Sequence, residues 1–121
     1  MNRIVHFEIP ATEPEKVAAF YSGLFGWKIE KWAGPMEYWN VVTGENAPGI
    51  NGGIMRRQHP QQPPVNTIDV ENLDAMMGRV IEAGGQVVVP KMAIPGYAWL
   101  CYCKDPDGNI FGLFQEDAKA A

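Results

Sequence analysis

Residues 6–26, HFEIPATEPEKVAAFYSGLFG, carry the pattern that decides the fold. Apolar and polar side chains alternate over 4–9, which predicts a β-strand ended by Pro10. Thr12 to Glu15 have the sequence of a capping box, which predicts the start of a helix. Gly26 lies where a left-handed residue ends a helix. Between these ends, apolar residues at helical spacing predict one buried face: Val17, Phe20, Tyr21, Leu24 and Phe25.

The same order of strand, helix, glycine and three strands occurs twice in the chain. Asn72 is the predicted cap of the second helix, and Gly84-Gly85 ends it. Asp105-Pro106-Asp107-Gly108 has the composition of a tight hairpin turn. The other predicted strands lie at 27–32, 36–43 and about 49–57 in the first copy, and at 65–70, 86–91, 97–104 and 109–116 in the second.

We therefore predict an α+β fold in a single domain over 1–121. Module one covers about 1–57, a proline-rich connector covers 58–64, and module two covers about 65–116. The two βαβββ modules are expected to form a curved, mixed eight-stranded sheet with the helices outside and a cleft inside. A doubly wound parallel sheet is excluded, because it needs a helix between most strands and only two helices are predicted.

The charge balance and the cysteines restrict the partners and the compartment. Ten basic against fourteen acidic residues give a net charge of −4, which argues against nucleic acid and against an anionic membrane as partners. No run of 18 apolar residues is present, so we expect a cytoplasmic protein. Cys101 and Cys103 are two residues apart on one predicted strand, where Cα atoms are about 6.5–7 Å apart. This separation predicts two free thiols rather than a disulfide.

Three stretches resemble the vicinal oxygen chelate superfamily, which includes glyoxalase I, extradiol dioxygenases, fosfomycin-resistance proteins and bleomycin-binding proteins. They are residues 6–26, residues 82–91 (EAGGQVVVPK) and residues 104–115 (KDPDGNIFGLFQ). The resemblance covers nearly the whole chain and implies the two-module fold. It also implies a divalent metal, held in active members by four inward-facing side chains and acting as a Lewis acid on vicinal oxygens.

Carried over one by one, the ligand positions of that superfamily match this sequence only at His6. His6 stands fourteen residues before Phe20-Tyr21, as the resemblance requires. The second position lies near 53–55, where no ligand side chain stands. The third falls on Val65, or on Thr67 after a two-residue shift, and the fourth falls on Gly112. We therefore predict no bound metal and no other cofactor.

Strand alternation places His6 and Glu8 on the cleft side, because Phe7 and Ile9 would face the helix. This acid–base pair is the candidate for catalysis. Aromatic and apolar side chains on the strands are the candidates for ligand binding: Tyr38, Met55, Tyr97, Trp99, Tyr102 and Phe114. By the same alternation, Tyr97 and Trp99 share a face with Cys101 and Cys103.

Two functions remain open at this point. The first is a protein that binds a small organic molecule in its cleft; the second is a metal-dependent lyase, isomerase or dioxygenase of the same superfamily. The sequence does not decide whether the chain is an enzyme. It contains four Trp, four Tyr, five Phe and six Met, residue types that are enriched in interfaces, and the superfamily commonly forms two-fold dimers. We therefore expect a homodimer.

Overall fold

The computed structural model describes all 121 residues, which divide into two compact units. The first unit is 6–64, and the second unit is 65–121 together with 1–5. Of the first five residues, Asn2 and Arg3 are hydrogen-bonded to the first strand of the second unit, and residues 4 and 5 begin a strand that continues into the first unit. The Asn2 amide donates to the Asp69 carbonyl at 2.7 Å, and the Asp69 amide donates to the Arg3 carbonyl at 3.0 Å.

The first unit is a four-stranded mixed sheet with one helix. Its strands lie in the order β2-β3-β4-β1, in which β1 and β4 are parallel and the other neighbours are antiparallel. The elements are β1 (Ile4–Ala11), α1 (Pro14–Phe25), β2 (Lys28–Lys31), β3 (Tyr38–Val42) and β4 (Asn51–Arg56).

The second unit repeats this arrangement. Its strands lie in the order β5-β8-β7-β6, in which β5 and β8 are parallel and the other neighbours are antiparallel. The elements are β5 (Val65–Asp69), α2 (Leu73–Glu82), β6 (Gln86–Ile94), β7 (Ala98–Lys104) and β8 (Ile110–Glu116). The prediction of an α+β fold with two βαβββ modules is confirmed.

Each unit buries one face of its sheet against its own helix. In the first unit the buried core residues are Ala11, Trp39, Val41 and Ile54, with Phe7, Ile9, Val17 and Ala18 among the residues packed against them. In the second unit they are Val70, Leu73, Cys101, Cys103 and Leu113, with Met76, Met77 and Val80 of α2 packed against them. These sets contain every second residue of a strand, so the residues between them lie on the face away from the helix.

The predicted ends of the elements are largely confirmed. Gly26 ends α1 in the left-handed conformation, with φ 72°, and Gly84 follows α2 with φ 98°. Gly108, with φ 88°, closes the turn between β7 and β8, where its amide donates to the Asp105 carbonyl. The two cysteines are free thiols, with 3.9 Å between the Sγ atoms. Burial raises the pKa of Cys101 to about 12.

Two details of β1 and α1 were predicted wrongly. Pro10 does not end β1, because the parallel pairing with β4 continues through Pro10 and Ala11. The capping box at Thr12 does not form, because Glu13 occupies the N-cap and makes no side-chain hydrogen bond there. Neither helix is long and apolar enough to cross a membrane.

Candidate functional site

Strand β1 places His6 and Glu8 side by side on the face of the first unit away from α1. Phe7, Ile9 and Ala11 pack in the helix-side core, so the alternate residues point the other way. His6 is partly buried, whereas Glu8 keeps only 6% of its surface exposed. A carboxylate that is so buried needs hydrogen-bond partners.

Tyr38 reaches this pair from two strands away by lying across Gly53. Gly53 on β4 is the register partner of Glu8 on β1 and of Asn40 on β3. Tyr38 lies two residues before Asn40 and therefore on the same face. A Cβ atom built on Gly53 would overlap the phenol ring and hydroxyl of Tyr38. Glycine at 53 thus leaves the space that the ring occupies.

The Tyr38 hydroxyl links the histidine and the glutamate. Its oxygen lies 2.7 Å from His6 Nε2, and it donates a hydrogen bond to Glu8 Oε2 at 3.2 Å. The imidazole and phenol rings are nearly parallel, with 13° between their planes. We call these three residues the His6–Tyr38–Glu8 chain.

Burial controls the protonation of His6. Removal of the ring from water lowers the pKa of His6, and the negative charge of Glu8 offsets this only in part. The imidazole is therefore neutral at neutral pH, with one nitrogen that donates and one that accepts. Such an imidazole can hold a ligand by a hydrogen bond or can take a proton from it.

The residues of this face do not fit a metal centre. Near the second ligand position, at 53–55, β4 has no ligand side chain, and the space above Gly53 is filled by the Tyr38 phenol. No group of three or more His, Cys, Asp or Glu side chains that could hold a metal ion is present in the chain. Zinc and similar ions normally take three or four protein ligands, and His6 supplies one.

The register of the second unit supports the assignment of the remaining ligand positions. Gly112 on β8 pairs with Thr67 on β5, just as Gly53 pairs with Glu8. Val65 is then the counterpart of His6, as the alignment of the helix-ending glycines predicted. Thr67 is buried, and a Cβ on Gly112 would lie 2.8 Å from its Oγ1.

The structure divides the six predicted ligand-binding residues among three places. Tyr38 and Met55 are register partners on the face that carries His6 and Glu8. In the second unit, Tyr102 pairs with Gly112, and Phe114 follows the buried Leu113, so both lie on the face away from α2.

Of the other two, Tyr97 adjoins Phe114 and Trp99 lies in a third place. Tyr97 falls in the turn before β7, where alternation no longer applies, and its ring contacts that of Phe114 at 6.1 Å between centroids. Trp99 packs on the α2 side, where its Nε1 donates to Asp117 and Lys91 lies over its ring.

Two α-helices and eight strands, arranged as two βαβββ modules with a histidine on the first strand, define a glyoxalase-like protein. Residues 3–113 match the Glyoxalase/Bleomycin resistance protein/Dioxygenase superfamily, and the chain belongs to this superfamily.

Two similar proteins carry related names, and one solved structure shares the fold. CFP32 of Mycobacterium tuberculosis, which is provisionally named as a glyoxylase, is 30% identical to the chain over 89% of the chain's length. The chain spans only 43% of the length of CFP32. A glyoxylase-like domain-containing protein of Didymella fabae is 27% identical, covering 98% of the chain and 97% of that protein. The crystal structure of the hypothetical protein BH1468 of Bacillus halodurans has a TM-score of 0.71 at 17% identity, covering 99% and 98% of the two chains.

Proposed function

We propose that the chain binds a small organic molecule on the face of the first unit away from α1, without a bound metal. The observation that carries this proposal is the His6–Tyr38–Glu8 chain, which places three hydrogen-bonding groups together on that face. Ligand sites typically combine an apolar lining with a few converging polar groups. Met55 supplies an apolar neighbour to Tyr38.

The protonation of His6 supports the same proposal. Groups whose pKa is shifted by burial and by a specific charged neighbour are concentrated at functional sites. His6 meets both conditions, because burial lowers its pKa and Glu8 acts on it in the opposite direction. His6 and Glu8 are also the acid–base pair available if the bound molecule is converted. A cytoplasmic location is part of the proposal, since free thiols are typical of reducing compartments.

The alternative is a metal-dependent lyase, isomerase or dioxygenase, as elsewhere in the superfamily. It is supported by His6, which stands at a metal-ligand position of the superfamily. It requires other ligands where the chain has Gly53, Val65 and Gly112, and for that reason we favour binding without a metal.

A fragment screen tests the proposal. Small organic compounds are screened by thermal shift against the wild type, His6→Gln and Tyr38→Phe. His59→Gln and Tyr21→Phe serve as matched controls, because His59 lies exposed in the connector and Tyr21, a residue of α1, stacks on Trp27. We expect compounds that stabilise the wild type and both controls but bind His6→Gln and Tyr38→Phe at least about tenfold more weakly, a loss of about 1.4 kcal/mol. Compounds that bind all five proteins equally, or the absence of any that bind, would refute the proposed site.

A further inference from the structure

The His6–Tyr38–Glu8 chain has a definite direction of hydrogen bonding. The Tyr38 hydroxyl carries one proton, and the ionised carboxylate of Glu8 can only accept. In the hydrogen bond between Tyr38 and Glu8 Oε2, at 3.2 Å, the hydroxyl is therefore the donor. Once the hydroxyl proton is used in this way, the Tyr38 oxygen accepts from His6 Nε2, which lies 2.7 Å away.

The opposite direction is unfavourable on this geometry. If Tyr38 donated to His6 Nε2, its own oxygen would face the Glu8 oxygen at 3.2 Å with no proton between them. Two acceptors would then be opposed beside a carboxylate that keeps 6% of its surface exposed. Such an arrangement loses a hydrogen bond to a charged group, which is stronger than one between neutral groups.

We infer that Tyr38 and Glu8 hold His6 as its Nε2–H tautomer, so that Nδ1 accepts a hydrogen bond from the bound molecule, whose contacting group is a neutral donor such as a hydroxyl or an amide N–H. The inference rests on the proposed function for the existence of a ligand. Tyr38 is a positioning residue in this scheme, because it acts on the ligand through His6. The neutrality of the ring follows from its burial, which lowers the pKa of His6.

The same arrangement disfavours anions. A carboxylate or phosphate placed at His6 would present acceptor oxygens to an acceptor nitrogen, close to the buried negative charge of Glu8. For such an anion to bind, the imidazole would have to take up a proton. Burial opposes this, because it lowers the pKa of His6. The site is thus selective for neutral donors over acids of the same shape.

Nitrogen-15 NMR of histidine-labelled protein tests the tautomer in the absence of any ligand. We expect the His6 ring to show a protonated Nε2 and an unprotonated Nδ1, with the exposed His59 as an averaging reference in the same spectrum. Tyr38→Phe should shift His6 towards the averaged pattern, whereas Tyr21→Phe should leave it unchanged. A protonated Nδ1 in the wild type, or a pattern unaffected by Tyr38→Phe, would overturn the assignment.

Matched pairs of small probes test the ligand class by the same signals. A panel of neutral donors and the corresponding acids, such as benzamide with benzoate, is titrated into the labelled protein. We expect neutral donors to shift the Nδ1 resonance, with the acids bound at least about tenfold more weakly. Equal or tighter binding of the acids, or no response to any neutral donor, would overturn the ligand class. Because the tautomer is measured on the free protein, its failure is distinguishable from failure of the proposed binding function.

Discussion

Gly53 and Tyr38 form a complementary pair at the centre of the candidate site. The phenol fills the space that a side chain at 53 would need, and it thereby reaches both His6 and Glu8. A substitution at 53 therefore acts on the site through Tyr38.

Gly53→Ala should displace the Tyr38 ring and break the His6–Tyr38–Glu8 chain. We expect it to lower the free energy of unfolding by about 1–3 kcal/mol, the usual cost of overpacking. Urea denaturation measures this. Gly23→Ala on α1 is the matched control, because a Cβ there meets no atom within 4 Å. In a helix the same change should be neutral or stabilising by about 0.5–1 kcal/mol. An equal response of the two variants would contradict the proposed overlap.

The lowered pKa of His6 predicts a pH dependence of stability. Below pH 6.5, the ordinary pKa of histidine, His6 binds a proton in the unfolded chain. In the folded chain His6 binds this proton only at lower pH. The free energy of unfolding should therefore fall as the pH is lowered from 6.5 towards the depressed pKa. Chemical denaturation at several pH values gives the slope of the free energy of unfolding against pH. This slope should be smaller for His6→Gln than for the wild type, and that of His59→Gln should equal that of the wild type. An unchanged slope in His6→Gln would show that His6 is not the group responsible.

The sequence could place His6 and Glu8 on one face, because strand alternation decides that locally. The sequence did not predict that Tyr38 contacts both of these residues. That contact depends on the register between β3 and β4 and on a glycine at the crossing point, both of which are set by tertiary pairing. A signal was present in Gly52-Gly53, since glycine inside a strand often marks a close approach.

At the level of elements, the two helices begin in different ways. Asn72 caps α2, where its Oδ1 accepts from the Ala75 amide at 3.0 Å. Glu13 stands at the N-cap of α1 without a side-chain cap. Pattern alone could not separate these cases, because a capping box also requires the backbone to place Thr12 at the cap.

Asn72→Ala should therefore destabilise the protein by about 1 kcal/mol through loss of the cap. Glu13→Ala is the matched control and should change the free energy of unfolding little, because its ion pair with Lys16 is exposed. Equilibrium denaturation of both variants provides the comparison. A larger loss for Glu13→Ala would mean that the assignment of the caps is wrong.

The predicted buried face of α1 was only partly correct. Val17 is packed against the core and Tyr21 stacks on Trp27, but Phe20, Leu24 and Phe25 are 57%, 62% and 62% exposed. Helical spacing predicts which apolar residues lie on the same side of the helix. How many of them are buried depends on how much of that side the sheet covers. Pro14 is buried instead, and Ala18 packs beside Val17 against the core of the first unit.

For the whole molecule, internal duplication made the fold predictable. Each unit has the same strand order and the same single parallel pair, so the repeated order of strand, helix, glycine and three strands in the sequence was sufficient. The reaction was not predictable in this way, because one fold supports many chemistries and the site residues differ between its members.

We also predict that the protein is a homodimer. The exposed apolar side chains of α1 add to the aromatic and methionine content that suggested an interface. Sedimentation equilibrium at micromolar concentration should give about twice the chain mass of 13.4 kDa. A mass near that of a single chain would refute the dimer.

The central claim is that the His6–Tyr38–Glu8 chain serves as a binding site without a metal. Its most direct test is the metal content of protein produced with added zinc, nickel, manganese and iron, then dialysed against a weak chelator. Elemental analysis should find far less than one equivalent of any of these metals per chain, with no difference between the wild type and His6→Gln. Close to one equivalent in the wild type, lost in His6→Gln, would contradict the account.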